Sequence, residues 1–194
     1  MNNITNSAQS EIQPNRTPSK KRKAMTVASF TLGIAALCAI TPVLRSKMKE
    51  AARVACLGNM VQIGESFNLW ADAHAFRYPF HMSTNEGGTM ELCKRDSQGF
   101  DEQAAFHFQV MSNLIVRPNV LICPGDRSSK PASNFQELKA INISYQVRSG
   151  NDVDARQTGD MLFRCPIHRS VFMCDGSLFR ADQYDRFTNF LSRH

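Results

Sequence analysis

The stretch RVACLGNMVQIGESFNLWADAHAF, residues 53–76, decides the fold. Cys56, Met60, Ile63, Phe67, Trp70 and His74 recur at steps of four and three, the spacing that lines side chains along one face of an α-helix. Arg53, Asn59, Gln62, Glu65 and Asp72 fall off that line. One apolar stripe on a half-polar helix needs a surface to cover it, and the polypeptide that follows is the obvious source. Cys56 and His74 are read as members of this core face and not as ligands.

Toward the N-terminus the helical pattern continues back to residues 24–44, which contain 21 residues and no charge. At 1.5 Å per residue this is roughly 30 Å, the thickness of a bilayer's hydrocarbon core. Thr26, Ser29, Thr31, Gly33, Thr41 and Pro42 dilute its Leu, Ile, Val and Phe, but basic clusters flank it on both sides. Residues 24–44 are therefore expected to form a retained transmembrane helix, with residues 45–76 as its amphipathic continuation. A cleaved secretory signal is the alternative, since Lys20–Lys23 would serve as its basic start and Ala36-Leu37-Cys38 as a small-x-small cleavage site. Five basic residues before the span against four after it favour a cytoplasmic N-terminus and a periplasmic C-terminal domain, the arrangement of a single-pass inner-membrane protein. Residues 1–23 are polar and basic and read as a disordered cytoplasmic tail.

The charge of the 194-residue chain, +6, first suggests a nucleic-acid partner, and its distribution removes that reading. Residues 1–53 carry a net +7 and residues 54–194 a net −1, so the globular part has no positive excess with which to neutralise phosphates. The basicity belongs to the flanks of the membrane segment.

Residues 77–194 read as a β-rich domain. Phe106–Met111, Val120–Cys123, Asn142–Val147, Met161–Arg164, Val171–Cys174 and Ser177–Arg180 are short, rich in β-branched and aromatic residues, and separated by Pro, Gly, Ser and Asp clusters. Asp175-Gly176 between the last two is a hairpin turn signal. The expected fold is α+β, a long N-terminal helix packed by its lower half on a small antiparallel sheet.

Several motifs carry a family resemblance. PVLRSKMKEAARVACLGNMVQIG, residues 42–64, resembles the segment after the membrane helix in type II secretion pseudopilins and type IV pilin-like proteins, with a Cys-x-x-Asn-Met-x-Gln-Ile-Gly run at Cys56–Gly64. Pro79, Ser83–Thr89, His107–Asn113, Leu121–Asp126, Asn142–Tyr145, Cys165-Pro166-x-His168 and Asp175-Gly176-Ser177 continue the resemblance to about residue 180. It implies a pilin-like fold and a structural or assembly subunit of a type II secretion or type IV pilus-like system. The implied partners are other pilin-like subunits or secretion-system inner-membrane proteins. One departure stands out: where prepilins carry a cleavage Gly before Phe-Thr-Leu and a Glu five residues into the mature chain, this chain has Ser29 and Ile34. No acidic residue lies between Glu11 and Glu50. That departure keeps open a second class, a non-polymerising, membrane-tethered periplasmic binding module that takes zinc or a peptide.

No catalytic motif is present: neither Gly-x-Ser-x-Gly, nor a phosphate-binding Gly loop, nor His-Glu-x-x-His. Cys174 lies near His168 in sequence, but a thiol in the apolar run Val171–Cys174 is expected to be inert, and the chain reads as non-enzymatic. Cys123-Pro-Gly-Asp126 and Cys165-Pro-Ile-His168 are two similar turns, and three outcomes stay open for them. They are a Cys123–Cys165 disulfide, free buried thiols, or a zinc site ligated by Cys123, Asp126, Cys165 and His168. Asn151-Asp152-Val153-Asp154 offers alternating oxygen atoms, the pattern of a calcium loop or of a solvated turn.

Overall fold

The computed structural model describes residues 20–157, 159–180 and 183, with side chains from Ile40 onward. Helix α1 runs from Lys20 to Ala73 and contains Pro42. The chain divides into two units, one ending at Ser46 and the other beginning at Lys47. In the first, the expected span 24–44 falls within α1, with the side chains of 24–39 outside the described residues. Among the described residues no helix is long and apolar enough to cross a membrane. The expected tail, residues 1–23, lies almost wholly outside them.

The second unit, from Lys47 on, holds the predicted stripe. Cys56, Met60, Ile63 and Phe67 are wholly buried and Trp70 nearly so, while His74 is half-buried with its ring stacked on Trp70 at 4.2 Å. The helix stops at Ala73 because Ala75 and Phe76 take left-handed backbone angles (φ 54° and 61°), which let the Phe76 amide return to the Ala71 carbonyl at 2.7 Å.

The covering surface is a four-stranded antiparallel meander, β1 (Gln146–Val147), β2 (Met161–Cys165), β3 (Ser170–Met173) and β4 (Leu178–Arg180), in the order β1-β2-β3-β4. The Asp175-Gly176 turn joins β3 to β4 as the sequence implies, with Gly176 at φ 85°. Strand alternation divides β3. Phe172 and Cys174 belong to the main core under α1, while Val171 and Met173 join Phe100, Met161 and Phe179 in a small cluster on the other side. A shift in register between Met161 and Phe163 lets Leu162 and Phe163 both enter the main core.

Three expected strand segments differ. Residues 105–110 form a short helix, α2, and Pro118–Leu121 and Ala140–Asn142 form 3₁₀ turns. Asn142–Val147 keeps only its end as β1. These runs are apolar because they are buried. Val120 and Leu121 fill the core from a turn as well as they would from a strand, and a short apolar run does not by itself separate the two.

Phe67 organises the core, meeting Tyr78 and Phe108 edge-on at 5.8 and 5.9 Å and Phe163 in a stack at 6.3 Å. Phe163 stacks in turn on Phe172 at 5.0 Å. The helix comes this close to the sheet because residue 64 is glycine: a Cβ there would lie 2.0 Å from Phe172 Cζ. Phe67→Ala is expected to cost about 3–5 kcal/mol, from lost burial and the cavity left behind. Gly64→Ala should cost about 1–3 kcal/mol through overpacking. Urea denaturation of the full chain in detergent measures both; unchanged midpoints would show that the helix is not held by this seam.

Candidate metal centre

Four donors from three separate parts of the chain converge on one point. Cys56 comes from the stripe of α1, Cys123 from the turn after the 3₁₀ segment Pro118–Leu121, and Cys165 and His168 from the end of β2 and the turn into β3. One ligand atom from each lies within 4.8 Å of all the others. The three cysteines are wholly buried and His168 is half-buried. His168 turns Nδ1 toward Cys123 Sγ at 3.2 Å, and Tyr145 Oη lies 3.6 Å from Cys56 Sγ.

Both Cys-Pro turns aim backbone amides at their own sulfur. Proline holds the bend and lacks an N–H, so the amides after it fold back over the cysteine. The His168 amide donates to Cys165 Sγ at 3.4 Å, and the Ile167 amide also faces that sulfur. The Gly125 amide faces Cys123 Sγ. Gly125 leaves room for the imidazole, because a Cβ there would stand 2.9 Å from His168 Cε1 and Nε2.

These contacts decide which thiol ionises first. Hydrogen bonds from the Cys123 and Cys56 thiols, then the turn amides, hold Cys165 far below the ordinary thiol value against the cost of burial. Cys123 is pushed up to about 11, first by Cys165, and Cys56 is raised further, first by Cys123 and then by Cys165 and burial.

The sequence-based ligand set is corrected at one position. Asp126 faces away: its carboxylate accepts from the Ser128 amide (2.8 Å), the Ser128 hydroxyl (2.6 Å) and the Ser144 hydroxyl (2.7 Å), the first of these held in an Asx-type turn. Its place is taken by Cys56, which the helical stripe assigns to the core and which is both buried there and a member of the cluster. Of the three outcomes left open for the Cys-Pro turns, the structure has no Cys123–Cys165 bond: Cys56, Cys93, Cys123, Cys165 and Cys174 are all free thiols. The calcium candidate has its carboxylates turned to guanidinium groups, Asp152 to Arg95 (2.8 Å) and Arg148 (2.7 Å), and Asp154 to Arg156 (3.1 Å). Val153 between them is buried, so the loop does not present its oxygens together. Cys174 is pushed up to about 12 by burial first, in keeping with an inert thiol.

A second convergence, Cys93, Asp101 and His107, is spoken for internally. His107 Nε2 donates to Asp101 Oδ2 at 3.0 Å, and its Nδ1 accepts from the Thr89 hydroxyl at 2.8 Å, so both ring nitrogens are used. The Lys94 and Gln103 amides donate to Asp101 Oδ1, and the Cys93 thiol donates to the Thr89 carbonyl. Burial opposes the Asp101 charge, yet the His107 ring and the two amides outweigh it and hold the carboxyl well below its usual range.

A pocket of about 400 Å³ lies beside these sites and is lined by Asn59, Gln62, Arg117, Asn119, Ile122 and Pro124 among others. None of the four converging donors lines it. No protein-family model matches the chain, and neither does any curated protein or solved structure. The family resemblance therefore rests on the short motifs quoted above.

The Asp101 network makes an acid-stability prediction. A carboxyl depressed in the folded state contributes stability above its unfolded value of about 3.9, and that contribution fades as pH falls through the folded value. Asp101→Asn should cost about 1.5–3 kcal/mol at neutral pH, where it replaces charge-assisted hydrogen bonds to a buried carboxylate with neutral ones. Below about pH 4 the parent should lose stability more steeply than the variant. Denaturant midpoints measured across that range check both; parallel curves would mean that Asp101 is not the acid-labile group.

Proposed function

We propose that the chain is a membrane-anchored, pseudopilin-like structural or assembly subunit of a type II secretion or type IV pilus-like system. Its N-terminus would lie in the cytoplasm and its α+β domain in the periplasm. The observation that carries this reading is the second face of α1. Met48, Val54, Val61 and Leu69 are 41–63% exposed although large and apolar. At 100° per residue they occupy an arc of about 140°, centred opposite the buried Cys56–Trp70 stripe.

Gly58 lies on the same outward face, where a Cβ would meet nothing within 4 Å. An exposed glycine inside a helix costs about 1 kcal/mol relative to alanine and gains nothing within this chain. Apolar residues around a small one suit close approach of another helix, which is how pilin-like subunits pack. The quoted motifs and the helix-plus-sheet architecture support the same assignment.

The second reading, a tethered periplasmic module that does not polymerise, is favoured by a specific observation. Ser29 and Ile34 stand where a prepilin peptidase and a neighbouring subunit would require Gly and Glu.

The experiment is site-specific photo-crosslinking in cells, with the probe at Val54, Val61 or Leu69 and a control at Arg127, together with mass spectrometry of the native N-terminus. Adducts to a second copy or to another single-helix membrane protein from the three helix positions, and none from Arg127, are the expected result. If the helix positions remain free of adducts, the subunit reading fails and the tethered module stands.

A further inference from the structure

We propose that Cys56, Cys123, Cys165 and His168 form a closed structural Zn²⁺ site that fastens α1 to the two Cys-Pro turns. This goes beyond the subunit reading and holds whether or not the chain assembles.

The donor set selects the ion. Three thiolates and an imidazole are the ligands of Cys₃His structural zinc sites, at about 2.3 Å for sulfur and 2.0–2.1 Å for nitrogen. A regular tetrahedron of those bonds has edges of roughly 3.5–3.8 Å. The four ligand atoms already lie within 4.8 Å of one another, and Cys123 Sγ and His168 Nδ1 stand at 3.2 Å, so small side-chain rotations suffice. Hard cations such as Ca²⁺ and Mg²⁺ need oxygen ligands, and Asp126, the nearest acidic candidate in sequence, is committed to serines.

Two further observations point to bound thiolates and not to a chance meeting of thiols. A neutral thiol is a weak acceptor, yet each Cys-Pro turn presents amides to its sulfur, which suits a sulfur carrying negative charge. Tyr145, itself buried, brings its hydroxyl to the third sulfur, so every thiolate has a donor outside the tetrahedron.

The site is closed. Four protein atoms fill a tetrahedron, the cysteines are inaccessible, and the neighbouring pocket reaches none of them. That geometry leaves no position for water or substrate, so the ion's role is to join elements that are distant in sequence. Binding releases the protons of the thiols that were neutral, and its free energy adds to folding.

The test uses the full chain, extracted from membranes in detergent and exchanged into metal-free buffer. Elemental analysis should find zinc equimolar with protein. Replacement by Co²⁺ should give intense tetrahedral d–d bands with thiolate-to-cobalt charge transfer. Cys56→Ser and His168→Gln should abolish equimolar zinc, whereas Asp126→Ala, Cys93→Ser and Cys174→Ser should retain it. Tyr145→Phe should weaken zinc affinity by about 10–100-fold, as loss of an outer hydrogen bond to a ligand does.

If Cys56→Ser fails to fold, the metal content and cobalt spectrum of the parent still decide the matter. Purified parent that contains no zinc and gives no cobalt thiolate spectrum overturns the proposal. So does an intact mass lighter by two hydrogens that maps to a Cys123–Cys165 bond, and so does zinc retained by both Cys56→Ser and His168→Gln.

Discussion

Phe67 sits where the helix, the sheet and the irregular segment between them meet. Its ring touches Tyr78 just after the helix, Phe108 in α2 and Phe163 in β2, and Phe163 passes the contact on to Phe172. None of these elements could stand alone: α2 has six residues and the four strands have two to five each. Short strands and single-turn helices do not compensate their own ordering entropy, so the apolar seam along α1 must supply what local structure does not. Gly64 sets how close that seam can come, because it lets the Phe172 ring rest on the helix backbone.

Between Tyr78 and Tyr145 the chain is mostly turns, and polar contacts do there what ladders do elsewhere. Asp101 takes the Lys94 and Gln103 amides on one oxygen and His107 on the other, while its own amide donates to the Val147 carbonyl in β1. One buried residue, through its carboxylate and its own amide, thus ties a loop, a helix and a strand together. Such a network is worth its desolvation only when each member is satisfied, and Thr89 and Cys93 complete it.

The elements that were legible in the sequence are those with a strong period or a specific turn chemistry. The four-three spacing from Cys56 to Trp70 located the buried face of α1, and Asp175-Gly176 located the β3–β4 hairpin. Phe106–Met111 and Val120–Cys123 were misleading because burial, which makes a run apolar, is indifferent to whether the backbone is extended or coiled. The Cys-Pro turns were recognisable as a pair, and Cys123, Cys165 and His168 do meet. Asp126 has the place of a ligand in the Cys123-Pro-Gly-Asp turn, but a local Asx turn to Ser128 competes for its carboxylate. Cys56 was hidden because a buried cysteine on an apolar stripe looks the same whether it merely packs or also faces two sulfurs. Only the tertiary fold brings residue 56 to residues 123 and 165.

That long-range convergence has a consequence for how the chain matures. Cys56 emerges first during synthesis, and its partners follow in order, the last more than a hundred residues later. Until the β2–β3 turn has been made, the early thiol has nothing to meet, and the loop to be closed grows with every residue added. A chain interrupted before Cys165 would carry Cys56 and Cys123 without the pair that completes their surroundings. Convergence of the four donors is therefore a late event, reached only by a chain whose helix, central turn and sheet have all been delivered and docked.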